Sequence, residues 1–287
     1  MKRLLLLLVL LAGLSGCGAK GPSAQVAATT LPVYEFTTRI CQGTGITVTR
    51  LVTEQISCLH DYSLNVRQVK AAEAAQTIVI SGAGLEAFME DLLDEDKVID
   101  ASGGISLLES HQEHIHEGHE ECEFDPHIWL SPANAKTMAE NICSGLSAKY
   151  PEHSDTFREN LSGLMSDLEA LAAYGKAELS DLSCRELVPF HDGFSYFASA
   201  FDLHILKAVE EESGQEASAK ELKEIIGLVE EHHLPAIFTE RSGSDSAAGI
   251  ISRETGCRVS QLDMAMTGDS YFDAMKRNID AIKEALG

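Results

Sequence analysis

Short apolar runs of strand length alternate with amphipathic stretches of helical length from Val26 to the end of the chain. VAATTLP and ITVTRLV read as strands, and PVYEFTTRICQGTG between them as a helix ended by glycine. Residues 64–75 predict a second helix, QTIVIS a buried strand, GLEAFMEDLLDE another helix and residues 97–100 a short strand. The second half repeats the rhythm: strands ELVPFH, HILKAV, AIFTE and RVSQL alternate with helices at 193–201, 218–232, 246–255 and 270–286. Such βαβα alternation calls for parallel sheets covered by helices. The expected fold is therefore α/β with two lobes, residues 26–150 and 184–287, each a central parallel sheet flanked by helices.

Between the lobes, residues 151–183 carry Phe157, Leu161, Leu164, Leu168 and Leu171 at alternating gaps of four and three, the stripe of an amphipathic helix. Unbroken, it would run for roughly 40 Å. One long helix is thus expected to join the lobes.

The first 17 residues, MKRLLLLLVLLAGLSGC, follow a different pattern: two cations, an apolar run, then small residues ending in a cysteine. That order matches a secretory signal, and the run is shorter than the ~20 residues that span a bilayer. Leu14-Ser15-Gly16-Cys17 resembles a bacterial lipoprotein signal, with Cys17 as the lipidated first residue of the mature chain. Residues 18–25 then read as a tether.

Charge narrows the classes of partner. With 45 acidic and 22 basic residues the formal charge is −23, which repels nucleic acid and anionic membrane surfaces. Beyond Cys17 the six cysteines 41, 58, 122, 143, 184 and 257 contain no C-x-x-C pair. Disulfides and buried free thiols both remain open.

Candidate chemistry sits at strand ends. His60 follows ITVTRLV, His191 ends ELVPFH, Glu240 ends AIFTE and Asp263 follows RVSQL. Ligands of open α/β sheets bind outside the carboxyl ends of the strands, so these side chains have a shared reason to converge. His127, in FDPHIWLSP before a predicted helix, is placed for a loop to aim it inward. Asp61, Asp125 and Asp192 lie next to these histidines or within two residues, as acceptors able to fix imidazole tautomers.

LPVYEF, CLHDYSLNVRQVKAAEAAQTIVISGAGLEAFME, DPHIWLSPANAKTMAENI, VPFHDGFSYFASAFDL, AIFTE and QLDMAM, in that order, resemble the zinc/manganese solute-binding lipoproteins of bacterial ABC importers over nearly the whole mature chain. The resemblance implies a metal held between the lobes by His60, His127, His191 and Asp263. Glu240 or water is the alternative fourth ligand. Manganese-type members usually have a carboxylate where this chain has His191, and imidazole suits zinc whereas manganese favours oxygen donors, so Zn2+ is expected ahead of Mn2+.

HQEHIHEGHEECEF places His111, His114, His116 and His119 among five glutamates in a loop spanning 110–123. A short His-rich tract is compositionally a metal binder. The segment resembles the acidic histidine-rich loop of zinc-specific members, and low-affinity zinc collection is its expected role.

The resemblance further implies a monomer outside the cytoplasm, anchored to the membrane by lipid, that delivers zinc to a permease powered by a cytoplasmic ATPase. An adhesin or surface zinc buffer is a rival. So is a zinc hydrolase with Glu240 as base, although the resemblance points to no enzyme.

Overall fold

The computed structural model describes residues 25–56, 59, 62–109, 124–209, 217–241 and 246–287. Cys17, His60, Asp61 and the His-rich segment 110–123 lie outside the described residues.

The first lobe begins with β1 (Gln25–Ala28) and α1 (Leu31–Ile40), followed by β2 (Thr47–Arg50), α2 (Val66–Ala74), β3 (Thr77–Ile80) and β4 (Val98–Asp100). Its sheet is parallel throughout, in the order β2-β1-β3-β4. Asn65 starts α2 with a reciprocal cap: its side chain accepts from the Arg67 and Gln68 amides, while Gln68 accepts from the Asn65 amide. The helix expected over GLEAFMEDLLDE closes only as 3-10 turns at Ala87–Leu92. Met89 leaves helical dihedrals there and is buried, and Glu86 turns back to accept from the Ser81 and Gly82 amides.

α3 (Pro132–Lys149) leads through one 3-10 turn into α4 (Ser154–Glu178), the long helix between the lobes, about 37 Å at ~1.5 Å per residue. Phe157, Leu164, Leu168 and Leu171 are buried along it, as the stripe requires. The second lobe contains β5 (Glu186–Leu187), α5 (Ser195–Ala200), β6 (His204–Ile205), α6 (Ala219–Glu231), β7 (Ala236–Glu240), α7 (Ser246–Thr255), β8 (Arg258–Leu262) and α8 (Tyr271–Leu286). β5 pairs with β6 and β7 with β8, both parallel. Hydrogen bonds from the Phe238 amide to Val188 O (3.0 Å) and from the Phe190 amide to Phe238 O (2.7 Å) join the two pairs. The order across the lobe is therefore β6-β5-β7-β8.

Strand alternation sorts side chains to the two faces of each sheet. In the first lobe Val26, Ala28 and Val79 face inward, while Ala27, Ile78 and Ile80 pack outward against α2 residue Ala72. In the second, Ala236 and Phe238 face inward, and Ile237 packs with Ile225, Val229 and Ile251 of the outer helices. Lobes with separate cores would be expected from their separate α/β patterns, yet the inward faces share one continuous core. It runs from Val26 through α4 to Phe197, Tyr271 and Leu286. The physical link is α8 together with the segment before it. The Leu31 amide donates to Met266 O at 2.9 Å, Trp129 Nε1 to Met264 O at 2.8 Å and Tyr271 Oη to Trp129 O at 2.8 Å.

Cys41, Cys143 and Cys257 are buried and Cys184 half-buried, all as free thiols. Burial pushes the Cys41 thiol up to about 12, with Cys143 nearby adding to the shift. Among the described residues no helix is long and apolar enough to cross a membrane.

Candidate metal centre

The second sheet brings its candidates to one place because its strand order reverses between β5 and β7. His191 lies beyond β5 and Glu240 ends β7, so both project from the crevice where that fold favours ligands. The first sheet also reverses, between β1 and β3, but there the crevice is filled from within. Thr29 Oγ1 donates to Glu86 at 2.7 Å, and the Thr30 and Ser81 hydroxyls meet at 3.0 Å.

His127 reaches the second lobe from a short loop. Asp125 Oδ1 accepts the His127 amide at 2.9 Å and lies 2.8 Å from His127 Nδ1, closing a two-residue turn that fixes the ring. Tyr196 of α5 braces that loop from the other lobe. Its hydroxyl donates to Asp125 O at 3.0 Å and accepts the Leu108 amide at 2.9 Å. Trp129 packs edge-on against the His127 ring.

His127 and His191, 3% and 2% exposed, meet with Nε2 atoms 3.4 Å apart and ring planes at 90°. On the far side of each ring, Nδ1 faces a buried carboxylate: Asp125 at 2.8 Å and Glu240 at 3.7 Å. A carboxylate at Nδ1 favours the proton there and leaves the Nε2 lone pair for a metal. At this distance one ring can donate to the other, and with both protons at Nδ1 the two lone pairs repel unless a cation lies between them. Nitrogens ~2.05 Å from a tetrahedral zinc ion stand roughly 3.3 Å apart, so the pair has the spacing of two zinc ligands.

Glu240 lies behind His191, facing Nδ1 rather than Nε2, the position of a carboxylate that orients the imidazole. Asp263 and Glu240 line the same small cavity, together with Ile56 and Met264. The Asp263 carboxylate accepts from Arg277 Nη2 at 2.8 Å and from the Ala265 amide at 2.9 Å. Among the described residues no group of three or more His, Cys, Asp and Glu side chains is arranged to hold a metal ion; of the three predicted histidines, His60 lies outside them. His232 caps α6 and pairs with Glu186 at 3.1 Å.

Sequence reasoning missed Gly193, Tyr196 and Arg277. A Cβ on Gly193 would meet Met264 Cε at 2.7 Å, His127 Nδ1 at 2.9 Å and His191 Cδ2 at 2.9 Å. Its signal was a glycine two residues after a candidate ligand in FHDG. Tyr196 and Arg277 act across distances that no local motif marks.

Comparison with known proteins agrees with this architecture. The zinc-binding lipoprotein AdcA of Streptococcus pneumoniae serotype 4 is 30% identical over 282 residues, covering 91% of this chain and 55% of the relative. The chain thus spans about half the length of that curated relative. A crystal structure of ZnuA superimposes with a TM-score of 0.80 at 28% identity, covering 92% of this chain and all of the other. The Zn(II)-bound ZnuA-like domain of S. pneumoniae AdcA gives 0.77 at 28% identity, covering 92% of this chain and 99% of the domain. Residues 26–285, both lobes and the helix between them, match the family described as zinc-uptake complex component A, periplasmic, and the chain belongs to that ZnuA family.

Proposed function

We propose that this chain is the extracytoplasmic zinc-binding component of an ABC importer. The observation that carries the reading is the facing Nε2 pair of His127 and His191, at 3.4 Å with a carboxylate behind each ring. Support comes from the zinc-binding lipoprotein named among its relatives and from the zinc-bound structure that shares its fold.

In this reading His60 joins His127 and His191, and Asp263, Glu240 or water completes the shell. Glu240 suits the task of orienting His191, which leaves Asp263 as the favoured fourth ligand. Nitrogen donors favour zinc over manganese. Residues 1–17 are a lipoprotein signal, Cys17 carries the anchor, residues 18–25 tether the protein, and lobes 26–150 and 184–287 are joined through 151–183. A membrane permease and its cytoplasmic ATPase receive the ion.

Capture follows from the two imidazoles standing on different lobes. An ion bridging them adds contacts that exist only when the lobes are together, so it favours the closed arrangement. The shared core and the Trp129, Tyr271 and Leu31 bonds limit that motion to small shifts around the histidines.

The test is chelator-competition titration of the purified chain with zinc and manganese, beside His60→Ala, His127→Ala and His191→Ala. Each substitution is expected to weaken zinc binding strongly while the fold persists by circular dichroism. Wild-type affinity in the His191 variant would overturn the reading.

A further inference from the structure

Asp263 is held in a manner that a metal ligand lying ready would not need. Its backbone is clamped on both sides by Asn278, itself 1% exposed: the Asp263 amide donates to Asn278 Oδ1 at 2.8 Å, and Asn278 Nδ2 donates to Asp263 O at 2.7 Å. With the main chain fixed, side-chain rotation is the freedom left to the carboxylate. Both of its oxygens are engaged, Oδ2 by Arg277 and Oδ1 by the Ala265 amide. Yet Asp263 lines the cavity it shares with Glu240 and Met264, and the Met264 methyl lies against the Gly193 position between the histidines.

The partner is built to let go. Arg277 leaves 48% of its side chain exposed, against 18% for Asp263. A guanidinium already half in water loses little when it swings fully into solvent, whereas the carboxylate it leaves needs another cation. Arg277 and a metal ion therefore compete for one anionic group.

We propose that Arg277 is an affinity-setting latch. It holds Asp263 in an ion pair while the site is empty, yields it to zinc on binding and takes it back on release. The proposal rests on the zinc-binding reading above. Its consequence is reciprocal: whatever the ion pair contributes to the empty protein is subtracted from zinc affinity.

The experiment is zinc titration by chelator competition for wild type, Arg277→Gln, Arg277→Lys, Asp263→Asn and the Arg277→Gln/Asp263→Asn double variant, with zinc-edge X-ray absorption to count oxygen ligands. Arg277→Gln is expected to bind zinc about tenfold more tightly and release it more slowly, with Arg277→Lys between it and wild type. The gain is expected to vanish in the Asp263→Asn background, and the absorption spectrum to lose an oxygen ligand there. An unchanged or weaker affinity in folded Arg277→Gln would overturn the latch, and so would an equal gain without the Asp263 carboxylate, since that would be remote charge alone. Loss of only thermal stability in the Arg277 variants would mark a structural ion pair and overturn it too. A His191→Ala variant with wild-type affinity would remove the binding reading itself, a failure separable from the others.

Discussion

Gly193 stands so close to His127 that a Cβ at that position would lie 2.9 Å from the imidazole Nδ1. The same atom would crowd His191 and Met264, so the absent side chain is what lets the second lobe bring its histidine up to the first. Gly193→Ala is expected to push the two rings apart. Zinc affinity should fall by roughly 10- to 100-fold, in the range seen when groups supporting metal ligands are lost. Overpacking should cost only about 1–3 kcal/mol of stability. Paired chelator competition and urea unfolding check this, and a variant that unfolds more easily but binds zinc normally would contradict it.

The carboxylates behind the imidazoles make a second prediction. Asp125→Asn can offer a hydrogen-bond donor to Nδ1 and so favour the wrong tautomer, and Glu240→Gln removes the negative charge facing the His191 ring. Each is expected to weaken zinc binding about 10- to 100-fold. His232→Ala, which touches Glu186 instead, is expected to leave zinc binding unchanged. Isothermal titration of the three variants separates these outcomes.

The lobes and the long helix were legible because their signals are local: the short apolar run of AIFTE, buried along its whole length, and the periodic Phe157–Leu171 stripe. His191 at a strand end and His127 in a loop were legible as residues that could meet, and the structure brings these two together. What stayed hidden depends on contacts between distant residues. No periodicity says that Trp129 will bond to Met264, that α8 will complete a core begun by α1, or that Glu240 will face Nδ1 of His191 rather than Nε2. The 3-10 turns at 87–92 replaced a helix because Glu86 serves the β1 and β3 ends, a tertiary demand that overrides the amphipathic pattern.

The His-rich segment carries a prediction about stoichiometry. His111, His114, His116 and His119 are expected to bind further zinc ions weakly, ahead of transfer to the cleft. Deleting residues 110–121 should lower the number of zinc ions bound per chain while the tightest site remains. Equilibrium dialysis with metal analysis measures the number, and an unchanged count would sink the collecting role.

Glu86 links stability to pH. Burial, set against bonds from Thr29, Ser81 and Gly82, pushes its carboxyl from the ordinary 4.5 up to about 7. The folded protein then keeps a proton that the unfolded chain gives up, so stability is full below pH 4.5 and is lost as pH rises from 4.5 to 7. The loss is roughly 3 kcal/mol from this group. Urea unfolding from pH 4.5 to 7.5 should show that decline in wild type, and Glu86→Gln, which has no proton to lose, should flatten it by the same amount. Parallel pH profiles for the two proteins would contradict the assignment.

The shared core predicts that the lobes unfold together. Tyr271 is fully buried, and its hydroxyl bonds to the carbonyl of Trp129, whose indole N–H bonds in turn to Met264. Tyr271→Phe keeps the ring and strands that carbonyl in an apolar setting, at a cost of about 1–3 kcal/mol. Since the bond belongs to a core spanning both lobes, the loss should shift one cooperative transition rather than release one lobe early. Calorimetry should therefore give a single transition in wild type and variant, with matching van't Hoff and calorimetric enthalpies. Zinc binding should change by less than about threefold, because the bond lies behind the histidine pair and the remaining core still holds the lobes in register. Two resolved transitions in the variant would mean that the lobes are independent units joined at a hinge, and the small-motion account of capture would have to give way to a larger closure.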